Sequence, residues 1–155
     1  MKNDFYLKLA EEVSRNSKCL RGNWGAVIVK NDMIIGVGYN GPARGVKHCS
    51  PCRRASLPPG KGYEKCIAAH AEVNAIIQSG GRQGCLGSIM YVGSHNRKLK
   101  YKYNSTLGFF PCDLCFRYII NAGIEMIVMR GKKDSIKRTL VSDAVTMWNE
   151  KLWRS

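Results

Sequence analysis

His70-Ala71-Glu72-Val73-Asn74-Ala75-Ile76, read together with Pro111-Cys112-Asp113-Leu114-Cys115, organises the rest of this 155-residue chain. Ala68–Gln78 carries apolar residues at helical spacing, and Gly80-Gly81 stops it. Pro111 stands where helices tend to begin, so Cys112–Asn121 reads as a second helix that runs to Gly123. Ser88–Val92 and Glu125–Met129 have the length and composition of strands. Helix therefore alternates with strand, a pattern that places helices on the faces of a sheet.

Outward from this centre, Asp4 can cap a first helix in which Phe5, Leu7, Leu9, Ala10 and Val13 supply apolar positions up to about Ser17. Trp24–Lys30 and Met33–Gly38 are β-rich and are joined by the turn-forming Asn31-Asp32, which predicts a hairpin. Residues 40–66 are rich in Gly, Pro and Cys with little periodicity, and so long a loop is usually functional or pinned. Gly93–Phe110 reads as an insert whose Lys98–Tyr103 alternates with period two, as an exposed edge strand would. A basic helix is expected over Ser135–Leu152. The expected fold is α/β: one domain over residues 1–155, a three-layer α/β/α sandwich around a mixed central sheet.

The chemistry lies in the two stretches quoted first. Cys-x-x-Cys at a helix N-terminus lets two thiolates face one metal, and the helix dipole favours their ionised form. His70, Cys112 and Cys115 supply three ligands and leave the fourth tetrahedral position to water, as a catalytic zinc requires. Glu72 lies two residues from His70, within reach of that water without binding the metal. His-x-Glu followed by Pro-Cys-x-x-Cys is the signature of zinc nucleobase deaminases, with the Glu as general acid and base. A closed structural zinc would need a fourth protein ligand and leaves Glu72 without a task. The backbone N–H groups near Ala71 and Cys112 are candidates for positioning a ring.

Charge is the outlier in composition. Twenty-five Lys and Arg against eleven Asp and Glu give a net charge of +14, which favours anionic partners without separating a mononucleotide from a polynucleotide. Hydrophobic residues at 45% and charged residues at 23% exclude a disordered or collagen-like chain. No apolar run approaches the roughly 18 residues of a membrane span, and the charged N-terminal stretch does not read as a signal peptide. A cytoplasmic protein is expected. In such a setting seven cysteines point to metal or catalysis more than to disulfides.

Further stretches carry a resemblance. Cys19-Leu20-Arg21 followed by Gly25–Val29, then Gly38-Tyr39-Asn40-Gly41, the His70–Ile76 stretch and Pro111–Cys115 followed by Ile119–Ile124 are similar to the deoxycytidylate (dCMP) deaminases of the cytidine deaminase-like superfamily. The resemblance implies zinc-dependent conversion of dCMP to dUMP with release of ammonia, supplying thymidylate synthesis. It implies a homo-oligomer, often a hexamer, activated by dCTP and inhibited by dTTP with Mg²⁺ through the Gly38–Gly41 loop. It also implies that Asn40 contacts the nucleotide, with Arg44 as a phosphate contact and Ala71 beside the base. Asn40 has an alternative reading as a turn residue. Trp24 stands where such proteins usually have a smaller apolar residue, and it either lines the site or packs. Some of these deaminases carry a second, structural zinc, for which Cys19, Cys49, Cys52 and Cys66 are the candidates and His48 a substitute. The alternative is four reduced thiols. Cys85 is left over.

Three other readings compete. A deaminase acting on a base within nucleic acid shares the zinc residues, suits the charge, and could use Lys98, Lys100, Lys102, Tyr101 and Tyr103 as a phosphate track with stacking rings. A catalytically silent zinc protein on the same fold would have no use for Glu72. The deaminase of riboflavin synthesis also carries a His-Ala-Glu-Val stretch but usually has a longer cysteine-containing segment than Pro111–Cys115.

Overall fold

The computed structural model describes residues 2–96 and 111–153. A first helix, α1 (Lys2–Val13), continues into a short 3₁₀ turn at Ser14–Asn16. Strands β1 (Gly25–Lys30) and β2 (Met33–Tyr39) form the expected hairpin, with Asn31 and Asp32 both at positive φ, as a tight twisted turn requires. Two short strands, β3 (Gly41–Pro42) and β4 (Ala68–Ala69), pair with each other and close the ends of the long loop. Helix α2 (Ala71–Gln78), the single-turn α3 (Arg82–Cys85) and strand β5 (Ile89–Gly93) follow. After the insert come α4 (Asp113–Ala122), β6 (Met126–Arg130), β7 (Ile136–Leu140) and α5 (Val141–Trp153).

The main sheet has the order β2-β1-β5-β6-β7, with β5 and β6 parallel and the other pairs antiparallel. Strand alternation sends successive side chains to opposite faces. Ala26, Ile28, Met90, Val92, Ile127 and Met129 face a core shared with α2, α4 and α5. Val27, Val29, Tyr91 and Val128 face a second core under α1, where Tyr6, Leu7 and Ala10 are buried. Two apolar faces covered by helices make the expected three-layer sandwich. Among the described residues no helix is long and apolar enough to cross a membrane.

Two elements depart from expectation. Ser135–Leu152 is not a single helix: Ile136–Leu140 is a strand paired antiparallel with β6, and only Val141–Trp153 is helical. β-branched Ile136 and Thr139 suit a strand, and the pairing extends the sheet by one edge. The helix read over Ala68–Gln78 starts at Ala71, because Ala68 and Ala69 pair with Gly41 and Pro42. The alternating Lys98–Tyr103 run lies outside the described residues.

Two contacts fix where the site falls. A Cβ on Gly38 would lie 2.3 Å from the Ala71 carbonyl oxygen and 2.5 Å from the Ala75 nitrogen, so β2 lets α2 lie directly on its backbone. On the opposite face, the buried Arg130 of β6 pairs with Asp4 at 2.7 Å and Glu11 at 3.0 Å, fastening α1 to the sheet.

Candidate active site

His70 and Cys112 are the N-cap residues of α2 and α4, so two helix N-termini converge on one point. Cys115 sits in the first turn of α4 and is fully buried. Nδ1 of His70 lies 3.1 Å from Sγ of Cys115 and 3.3 Å from Sγ of Cys112. Among the described residues these three form the one group of His, Cys, Asp or Glu with ligand atoms within 4.8 Å of one another. A tetrahedral zinc, about 2.3 Å from sulfur and about 2.0 Å from nitrogen, spaces neighbouring ligands by about 3.5 Å. The set fits zinc in number, chemistry and spacing.

The charges in the metal-free protein support the same assignment. A hydrogen bond from Cys115, then one from His70, holds Cys112 as a thiolate with its pKa down at about 4. Burial alone would lower the pKa of His70, but its hydrogen bond to Cys112 and the charge of Glu72 lift it to about 9. The Cys115 thiol is pushed well up by its hydrogen bond to Cys112 and by burial. Burial and the Cys112 charge raise Glu72, which is 7% exposed. A cation placed among these groups would reverse the balance and favour two thiolates, a neutral imidazole and a carboxylate.

A cavity of about 430 Å³ opens over this group, and Glu72, Ala71, Trp24, Asn40 and Gly41 are part of its wall. Trp24 both lines the cavity and packs on the core beneath it, so its two readings hold together. Asn40 is 8% exposed and ties the loop ahead of β1: its Oδ1 accepts from the Trp24 N–H at 2.8 Å and its Nδ2 donates to the Gly22 carbonyl at 2.7 Å. One Nδ2 hydrogen and one lone pair remain for a ligand. Gly38 is buried under α2 and Tyr39 is half exposed at the sheet edge, away from the cavity wall.

Arg44 is exposed and does not line the cavity, whereas Arg21 and Arg54 do. The four remaining candidate cysteines, Cys19, Cys49, Cys52 and Cys66, line the same cavity without converging to ligand spacing. Both ring nitrogens of His48 meet carbonyl oxygens, of Cys49 at 2.8 Å and Lys18 at 3.0 Å, so it is engaged by backbone rather than poised as a ligand.

Sequence reasoning missed Tyr63 and Arg54. Tyr63 lies in a 3₁₀ turn late in the long loop, and its ring meets the His70 ring edge-on. Burial, followed by the charge of Cys112, pushes its hydroxyl pKa up to about 12. The only signal in the sequence was that a loop of this length needs a reason to be ordered.

Three zinc ligands with an open fourth position, a carboxylate beside them, and a mixed sheet between helix layers define a class: the zinc deaminases with a cytidine deaminase-like fold. Residues 1–130 match the family model described as the cytidine and deoxycytidylate deaminase zinc-binding region. The chain is 52% identical over 163 aligned positions to the deoxycytidylate deaminase of Enterobacteria phage T4, covering 83% of this chain and 77% of that protein. It is 32% identical over 132 residues to the deoxycytidylate deaminase of Mycobacterium phage D29, covering 81% and 91%. The dCMP deaminase of cyanophage S-TIM5, solved in complex with dCMP and dUMP, superposes with a TM-score of 0.57 at 27% identity, over 80% of this chain and 76% of that one. The chain belongs to the deoxycytidylate deaminase family.

Proposed function

We propose that the protein converts dCMP and water to dUMP and ammonia. The observation that carries this reading is the His70–Cys112–Cys115 group opening onto the cavity that Glu72 lines. Zinc held by the three side chains would lower the pKa of a water molecule and so supply a nucleophile at neutral pH. Glu72 takes the proton from that water and passes it to the ring nitrogen next to the carbon that carries the amine. As the water oxygen bonds to that carbon, Glu72 takes the second proton of the same water from the new hydroxyl and delivers it to the amine nitrogen. The C–N bond breaks, the ring carbonyl forms and ammonia leaves, so one carboxylate serves as base and acid in turn. Its burial raises its pKa above the ordinary carboxylate value, which favours its holding a proton between transfers. The walls around Trp24 and Asn40 hold the nucleoside.

Choosing dCMP as substrate is supported by family membership and by the S-TIM5 relative solved with dCMP and dUMP. Regulation by dCTP and by dTTP with Mg²⁺ through Gly38–Gly41, and assembly into a homo-oligomer of hexamer type, are supported by family membership alone. A second zinc on Cys19, Cys49, Cys52 and Cys66 is supported by their shared cavity wall; metal there would draw the thiols together and pin residues 40–66.

The deciding assay is ammonia release from dCMP, with CMP and a short structured RNA in parallel and with dCTP present or absent. Turnover of dCMP, increased by dCTP, is expected. Silence on dCMP with turnover of RNA would overturn the reading.

A further inference from the structure

The loop that carries Cys49, Cys52 and Cys66 also carries Arg54 and Tyr63, and these two reach the metal-ligand group. His70 points Nδ1 at the two sulfurs, which leaves its proton on Nε2 once a metal is bound. A ligand histidine usually donates that N–H to a carboxylate, carbonyl or water, and the partner fixes the plane of the ring. Among the described residues no protein acceptor meets Nε2 of His70. An aromatic ring stands beside the imidazole instead. The Tyr63 ring meets that of His70 edge-on, with centroids 5.4 Å apart and planes at 62°.

Tyr63 is itself braced. The guanidinium of Arg54 lies over its ring, 4.2 Å from the centroid. Arg54 is 6% exposed, donates from Nε to the Lys61 carbonyl at 2.9 Å, and has no carboxylate partner among the described residues. A buried guanidinium without an anion gains most from the negative face of an aromatic ring, so the stack is held from both sides. Arg21 closes the segment from outside by donating to the carbonyls of Arg54 and Leu57. A continuous line of contacts thus runs from Arg21 through Arg54 and Tyr63 to His70.

We propose that Tyr63, braced by Arg54, is the positioning residue that fixes the imidazole plane of His70, doing by ring contact what a hydrogen-bond acceptor does elsewhere. The inference rests on the zinc deaminase reading and deepens it. Rotation of the imidazole would carry Nδ1 away from both sulfurs at once, so the consequence falls on metal affinity and ligand geometry before it falls on substrate binding.

The test uses the full chain loaded with zinc or with cobalt(II), whose ligand-field bands report the geometry of a two-sulfur, one-nitrogen site. Tyr63→Leu is expected to weaken zinc binding about 10- to 100-fold by chelator competition and to shift the cobalt bands at full loading. Tyr63→Phe, which keeps the ring, should restore both to within about threefold of the native values. With dCMP, Tyr63→Leu should lower kcat while leaving KM near native. Unchanged metal affinity and cobalt bands in Tyr63→Leu would overturn the proposal, and so would a raised KM with both metal readouts native, since that marks a residue that only touches substrate. Should Tyr63→Leu fail to fold by circular dichroism, Arg54→Met keeps the ring and removes its brace. Zinc binding several-fold weaker is then expected, and native affinity overturns the proposal. A wild-type chain that binds no zinc would overturn the deaminase reading itself.

Discussion

Two Cys-x-x-Cys pairs share one spacing and differ in everything else. Cys112 and Cys115 begin a helix that packs on a buried sheet, and they meet His70 at 3.3 and 3.1 Å respectively. Cys49 and Cys52 lie in an irregular loop and do not gather a third ligand at comparable distance among the described residues. The spacing lets two thiols face the same way; the scaffold decides whether anything stands opposite them. At the first pair the opposing ligand is delivered by α2, whose start is fixed where Gly38 admits the helix onto the strand. At the second pair no regular element among the described residues supplies one.

The largest effect should come from taking a thiol out of the ordered pair. Cys115→Ser is expected to weaken zinc binding by about 10³-fold or more and to abolish turnover, as elemental analysis and the ammonia assay would show. Glu72→Ala separates chemistry from binding at the same place: zinc content stays native while turnover falls by about 10²- to 10⁴-fold. Normal activity in that variant would end the mechanism.

The ordered pair also has a proton signature. With Cys112 already ionised near neutrality, zinc must displace one proton from Cys115, held well above its ordinary range, and one from His70, lifted to about 9. Both groups have raised pKa values in the metal-free protein, so affinity falls as pH falls. Two protons give a loss of about 100-fold per unit between pH 8 and 6. A chelator titration showing a slope below tenfold per unit would break the account. The smallest effect on turnover belongs to the cysteines of the long loop. Cys49→Ser and Cys66→Ser should cut metal toward one per chain and lower the melting temperature by a few degrees, about 2–4 °C for each kcal/mol lost. Native metal content and melting temperature in both would remove the second zinc.

The sequence made the ordered pair readable because its chemistry is local: His70 and Glu72 share a turn, and Cys112 and Cys115 share another. The hairpin was readable for the same reason, through Asn31-Asp32. What escaped was set by contacts between distant segments. Ile136–Leu140 becomes a strand only because β6 offers it an edge, which no window on the basic C-terminal stretch reveals. Arg54 and Tyr63 reach His70 through the fold of a loop without periodicity. That Arg21 and Arg54 face the cavity follows from how the loop folds, which position along the chain does not reveal.

The close approach of α2 to β2 has a consequence for how this protein can vary. A side chain at Gly38 would collide with the backbone of the turn that carries Glu72, and one at Gly36 would come within 2.6 Å of the Ala75 carbonyl oxygen. In a library of random variants screened for folding alone, both positions should return almost nothing but glycine, although neither lines the cavity. Engineers seeking a new base specificity would therefore find the floor of the site closed to change and the wall formed by the long loop open to it.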